Sequence, residues 1–185
     1  MYVLINSNRC LVIARFQPLH HGHLNVLKYC SSICSETVVV IGMASRSHTP
    51  DNPFTAGERV LMIRESLKWA KLPLENYITV TLPTIEVSRI AVHYVKLYSP
   101  PFEYVIALNP FVQRIFSEEG YKVISPPEFN RNIYRGSVIR SMIARGDDKW
   151  KELVPPPVVD IIEKVDGINR IKMLYRGEFP SSIDL

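Results

Sequence analysis

The stretch Cys10-Leu11-Val12-Ile13-Ala14-Arg15-Phe16-Gln17-Pro18-Leu19-His20-His21-Gly22-His23-Leu24 decides how this chain folds. Its first five residues form an apolar run of the length of a buried strand. Beyond the run, Leu24, Leu27 and Ile33 recur along one helical face. His20 and His23 therefore sit where a strand hands over to a helix, with Gly22 between them. A helix start leaves backbone N–H groups unpaired and carries a partial positive charge. Imidazole donors added at that point make a cradle for phosphate.

Working outward, strand and helix signals alternate. Thr37-Val38-Val39-Val40-Ile41 is a β-branched run that predicts a second strand. Thr55-Ala56-Gly57-Glu58 reads as a capping box opening a helix that carries Val60, Ile63, Leu67 and Ala70 on one face. Residues 77–82, 103–107 and 121–124 predict three more strands. A helix containing Ile90, Val95 and Leu97 ends at Pro100-Pro101, and Pro110 suits the first turn of the next helix. From Gly136 onward the chain reads as helical, with an apolar stripe of Val158, Ile161, Ile162 and Val165 after Pro155-Pro156-Pro157. Alternating strands and helices imply an α/β fold: a Rossmann-like, doubly wound parallel sheet with a helical C-terminal segment. Such sheets bind ligands beyond the carboxyl ends of their strands, which is where the His20 loop falls. With 185 residues, a single domain is expected over 1–185, its helical part beginning at about 136.

Composition narrows the function. Apolar content of 46% and charged content of 22% are ordinary for a soluble globular chain. The net charge of +4 suits an anionic small substrate. No block of like charges and no docking motif points to nucleic acid. Three cysteines argue against a disulfide framework, and Cys30 and Cys34, one helical turn apart, read as core residues. Met1-Tyr2-Val3-Leu4-Ile5 lacks the basic start and long apolar core of a signal peptide. No apolar run reaches the roughly 18 residues that a membrane span needs. A cytoplasmic protein with no membrane partner is expected.

A second motif lies far downstream. Gly136-Ser137-Val138-Ile139-Arg140 opens another helix. With the His-x-Gly-His at 20–23, it resembles the paired signature of the nucleotidylyltransferase superfamily. Further segments are similar to the archaeal branch of nicotinamide-nucleotide adenylyltransferases: Ser47-His48-Thr49, Asn52-Pro53-Phe54-Thr55-Ala56-Gly57-Glu58-Arg59, Ser99-Pro100-Pro101-Phe102, Asn109-Pro110 and Phe129-Asn130-Arg131. The resemblance runs over nearly the whole chain. Ala14 stands where the family has glycine, Leu108 where it has a small residue, and Ala91 where it has the tryptophan that stacks on nicotinamide. The Ala91 departure bears on the second substrate and leaves the ATP half intact.

What the resemblance implies is transfer of AMP from ATP to nicotinamide mononucleotide (NMN), giving NAD and pyrophosphate, with Mg2+ accompanying ATP. It implies a homo-oligomer, a hexamer. His20, His23 and Arg140 would be the catalytic residues, the histidines on the α- and β-phosphates. Arg15, Phe16, Gln17, Gly22, Asn109, Arg131, Gly136 and Ser137 would bind ATP and NMN, with Ser137 and Arg140 gripping the outer phosphates. Gly22, lacking Cβ, would let phosphate approach the backbone. No residue is assigned to a metal. The chemistry needs no general base, because a phosphate nucleophile is already anionic.

Plainer readings stand beside these. The three histidines could be a metal cluster, although no carboxylate sits at ligand spacing. His21 reads as a bystander, His93 as structural, and Trp69 and Trp150 as packing. His48 lies in a family-like loop and is a candidate to touch substrate. Glu58 and Arg59 read first as a helix start. The reaction could keep its form with another phosphorylated acceptor, such as phosphopantetheine or FMN, or the chain could be a catalytically degenerate nucleotide-binding protein.

Overall fold

The computed structural model describes residues 8–84, 88–127, 129–130 and 132–178. Five strands, β1 (Arg9–Ala14), β2 (Glu36–Ile41), β3 (Tyr77–Thr81), β4 (Tyr104–Ile106) and β5 (Lys122–Ile124), form one sheet in the order β3-β2-β1-β4-β5. Every pairing is parallel. Among the described residues, seven α-helices connect and cover it: α1 (His21–Ile33), α2 (Ala56–Trp69), α3 (Ser88–Tyr98), α4 (Pro110–Glu118), α5 (Gly136–Arg145), α6 (Pro156–Lys164) and α7 (Gly167–Arg176). The expected doubly wound sheet with a helical C-terminal segment is present, and the strand bounds differ from expectation by a residue or two.

Because successive strand residues face opposite sides, β1 feeds two cores. Cys10 and Val12 join Leu27, Val39, Met62, Ile63, Ile139 and Ile162 on one face. Leu11 joins Val38, Val40, Val92, Val95, Val105 and Phe116 on the other. Coverage of both faces explains the near-continuous apolar runs of the central strands. Trp150, Cys30 and Cys34 are buried as expected. Trp69 is not: at the last position of α2 it is 47% exposed, because Leu67 takes the inward position.

The strand order reverses between β1 and β4. Their ladder ends at Val12↔Ile106, whereas β1 continues against β2 to Ala14↔Ile41. The backbones beyond Val12 and Ile106 therefore diverge, and a crevice opens at this switch point, where parallel sheets place their ligands.

Helices α2 and α7 are clamped at the N-terminus of α2. The capping box forms as read: Glu58 N–H donates to Thr55 Oγ1 at 3.2 Å, and Thr55 N–H donates to Glu58 Oε2 at 2.8 Å. The same carboxylate accepts two bonds from Arg170, at 2.8 and 3.0 Å. Burial raises the Glu58 pKa, but the Arg170 guanidinium and the Thr55 N–H outweigh it and hold the carboxyl below its usual range. Arg170 also donates to the carbonyls of Pro53 and Val165. Both side chains are largely buried, so the pair should be worth more than a surface bridge. A double-mutant cycle of Glu58→Gln and Arg170→Met is expected to show coupling of about 1–3 kcal/mol in chemical denaturation. Additive single effects would contradict the clamp.

Candidate functional site

The crevice between β1 and β4 is a cleft of about 380 Å3. Arg15, Phe16, Gln17, His20, Gly22, His23, Asn109, Gly136, Ser137 and Arg140 all line it. These were the residues expected from sequence, brought together from the ends of two strands and the starts of two helices. Arg131 lies outside the described residues. His48 is exposed, 3.0 Å from Ser47 Oγ through its Nδ1, and does not line the cleft; nor do His93 and Arg59.

The leading edge is the turn Arg15-Phe16-Gln17. Phe16 has a left-handed backbone, φ 52°, which costs of order 1–3 kcal/mol and persists where surroundings enforce it. Here they do. The Gln17 side-chain amide donates to Phe54 O at 2.8 Å, and its Oε1 accepts from Phe54 N–H at 2.9 Å. Arg140 Nη1 donates to Gln17 O at 2.8 Å. Phe16 itself is buried beside the His23 ring, 4.7 Å between centroids. Gln17 is thus 3% exposed, and its amide holds the turn rather than projecting into solvent.

From this turn the chain enters α1. His20 is the N-cap: its Nδ1 accepts from His23 N–H at 3.3 Å. A ring nitrogen that accepts carries no proton, so the proton of neutral His20 is on Nε2. The His20 and His23 rings stack at 3.7 Å. Burial, then the neighbouring His23 and His21, lowers the His20 pKa. Burial alone lowers that of His23 to about 3. Both rings are neutral at pH 7 and bring no charge to the cleft. Gly22 has a second reason to lack a Cβ: one built there would lie 2.9 Å from Tyr134 Cβ and 3.1 Å from His20 Cε1. The space next to Gly22, expected for phosphate, is shared with Tyr134.

The facing edge is the start of α5. The N–H groups of Gly136, Ser137 and Val138 precede the first intrahelical bond, Ile139 N–H to Arg135 O. A Cβ on Gly136 would lie 2.6 Å from Gln17 O, so only glycine lets α5 approach the turn this closely. Arg140 is 3% exposed. Besides Gln17 O it holds Asp51 Oδ1 through Nη2 at 3.0 Å, while its Nε is buried without a partner. Nη1 thus braces the turn and Nη2 holds Asp51, while the side chain lines the cleft in which a grip on outer phosphates was expected. Asn109 caps α4, its Oδ1 accepting from Phe111 N–H at 2.9 Å.

Neither α1 nor α5 has an acidic residue in its first turn, and among the described residues no carboxylate lines the cleft. Two helix starts, two neutral imidazoles and three arginines, Arg15, Arg135 and Arg140, converge on one space. That arrangement accepts a polyanion. Tyr134, Phe129 and Asp51 were missed as site residues. Phe129 opens the Phe129-Asn130-Arg131 motif and Tyr134 lies just after it, and both could have been added on that ground. Asp51 reaches Arg140 only through the fold, and nothing local in sequence marks it.

The comparisons with known proteins bear on the family and the fold. A cytidylyltransferase-like family model matches residues 11–142. A nicotinamide-nucleotide adenylyltransferase of Saccharolobus solfataricus is 47% identical over 165 residues, covering 89% of this chain and 95% of that one. A protein of the same name from Methanococcus aeolicus is 43% identical over 171 residues, covering 92% and 97%. Among solved structures, a bifunctional NMN adenylyltransferase/ADP ribose pyrophosphatase of Francisella tularensis, complexed with AMP and a manganese ion, matches with TM-score 0.70 at 16% identity, over 93% of this chain and 53% of that chain. The Plasmodium falciparum nicotinic acid mononucleotide adenylyltransferase complexed with NaAD matches with TM-score 0.61 at 16% identity, over 88% and 98%. At that identity the structures establish a shared fold.

The depressed histidines set a pH dependence of stability. His23 titrates near 6.5 when unfolded and at about 3 when folded. Between those values the unfolded chain binds a proton that the folded one does not, so stability rises with pH through that window. The contribution is complete above 6.5 and is lost as pH falls toward 3. In denaturant melts at about pH 7 and about pH 5, the wild type should lose more stability on acidification than His23→Phe. Equal losses would show that the His23 ring is not held neutral.

Proposed function

The chain belongs to the cytidylyltransferase-like family, among relatives named nicotinamide-nucleotide adenylyltransferases, and from that membership we propose that it transfers AMP from ATP to nicotinamide mononucleotide. The observation that carries the reading is the convergence of the His20–His23 pair, the α5 start and Arg15 on one cleft at the switch point of the sheet.

An oxygen of the acceptor's phosphate attacks the α-phosphorus of ATP. A new phosphorus–oxygen bond forms there while the bond to the bridging oxygen of the β-phosphate breaks, releasing pyrophosphate. The nucleophile arrives as an anion, so no side chain need remove a proton and no covalent enzyme intermediate is needed. The protein's work is to bring two polyanions into line and to meet the charge that grows on pyrophosphate. His20 Nε2–H and the open N–H groups of α1 face the phosphates from one side. Ser137 and the N–H groups opening α5 face them from the other, and Arg15 adds a full charge. Arg140 secures the backbone between them.

A divalent metal fits this site as a companion of the nucleotide. Among the described residues the lining offers hydrogen-bond donors but no carboxylate to retain a metal. Magnesium carried on ATP would supply partial neutralisation of the triphosphate. The acceptor end departs from the family pattern. Ala91 does not line the cleft, and neither does His93 or Tyr94, which stacks on Tyr98 instead. That departure favours a test of other phosphorylated acceptors alongside NMN. By family resemblance, the working form is a cytoplasmic homo-oligomer, a hexamer, and light scattering tests that assembly.

Purified protein with ATP, magnesium and NMN is expected to form NAD, followed by coupled reduction with alcohol dehydrogenase. His20→Ala should cost roughly 100-fold or more in turnover, against about 1 kcal/mol of stability for the lost cap. ATP binding without NAD would move the reaction to another acceptor. Full turnover in His20→Ala would remove the histidine pair from the mechanism.

A further inference from the structure

Arg59 lies in the first turns of α2 and is fully buried. Its four hydrogen bonds all end on backbone carbonyls. Nε donates to Thr55 O at 3.1 Å, within its own helix. Nη1 donates to Arg15 O at 3.0 Å and Gly42 O at 2.9 Å, and Nη2 to Met43 O at 3.2 Å. The last three carbonyls belong to residues just past the carboxyl ends of β1 and β2. One planar fork thus joins α2 to both strand ends.

A guanidinium in this position is expensive to bury, since carbonyl dipoles compensate a full charge only in part. Burial lowers its pKa to about 10, which still leaves it charged at neutral pH. An apolar residue of similar volume would pack α2 against the sheet at lower cost. What only the fork provides is a fixed geometry between backbones that no β-ladder joins. Arg15 lies past the last β1 pairing, and Met43 has a left-handed φ of 55°. Among the described residues, Gly42 N–H to Ala14 O at 2.9 Å is the backbone bond that ties the two strand ends together; Met43 O also accepts from Arg46 N–H at 3.2 Å and Ala44 N–H donates to Leu82 O at 2.9 Å, but none of these reaches Arg15. Arg15 is the first residue of the turn that leads to His20, and its exposed side chain lines the cleft.

We infer that Arg59 is a positioning residue for nucleotide binding: by holding Arg15 O, Gly42 O and Met43 O together, it sets where the Arg15 side chain and the turn leading to His20 stand in the cleft. The inference rests on the reading of the cleft as an ATP site. Lysine keeps the charge but, as a compact ammonium, lacks the planar fork that meets these carbonyls.

The test compares wild type, Arg59→Lys and Arg59→Met as full chains. Thermal melts report folding, calorimetry with Mg-ATP alone reports nucleotide binding, and steady-state rates well below each melting temperature give kcat and KM for both substrates. Expected is a rise of roughly 10- to 100-fold in the ATP dissociation constant and in KM for ATP, larger in Arg59→Met than in Arg59→Lys, with KM for the acceptor near its wild-type value. Lowered melting temperatures with wild-type ATP binding would overturn the inference, because the residue would then serve packing alone. Failure of both variants to fold would also overturn it, by assigning the guanidinium to the fold itself. A wild type that binds ATP but makes no NAD sinks the acceptor assignment and leaves the calorimetric comparison intact.

Discussion

The turn Arg15-Phe16-Gln17 is the constraint on which the site depends. It leaves β1 at the point where β4 has already diverged, so no ladder supports it. It also carries a left-handed phenylalanine. Contacts from three separate segments supply the missing support. Arg59 of α2 holds the Arg15 carbonyl, Phe54 pairs with the Gln17 amide through its backbone, and Arg140 of α5 holds the Gln17 carbonyl. Each contact joins parts of the chain far apart in sequence. The turn is therefore a product of tertiary structure, and in return it delivers His20 to the N-cap of α1 and lets the start of α5 lie against it.

The electrostatics follow from that placement. The two histidines contribute direction, not charge, since burial keeps both neutral. Positive potential comes from two helix starts without acidic residues and from arginines. Of these, Arg59 and Arg140 are buried and spend their donors chiefly on carbonyls, whereas Arg15 is exposed at the cleft. This division of labour suits a reaction in which the protein donates no nucleophile and abstracts no proton. Rigid, preorganised donors around a polyanion are what such a reaction uses.

Much of this was legible in the chain. An apolar run ending in Arg15-Phe16-Gln17 and followed by His20 and His23 already specifies strand, turn and helix start, because each signal is local. The capping box at Thr55 and Glu58 formed as read for the same reason. The contacts that could not be read there act across space. Arg59 looks like an ordinary arginine in a helix start, and its three non-local carbonyl partners lie in segments that only the folded sheet brings near. Arg140 looks like a phosphate ligand, and the structure turns two of its nitrogens to Gln17 and Asp51. Gly22 and Gly136 were read as room for substrate or as motif members. Their close neighbours are protein: Tyr134 in one case and the Gln17 carbonyl in the other.

The most direct measurement is a crystal structure of the protein with a non-hydrolysable ATP analogue and magnesium. Expected is a triphosphate lying between the α1 and α5 starts, with His20 Nε2 and the Ser137 N–H within hydrogen-bond distance of phosphate oxygens and the Arg15–Gln17 turn unmoved. A triphosphate bound elsewhere, or a turn that rearranges to admit it, would contradict the claim that this braced cleft is a preformed nucleotide site.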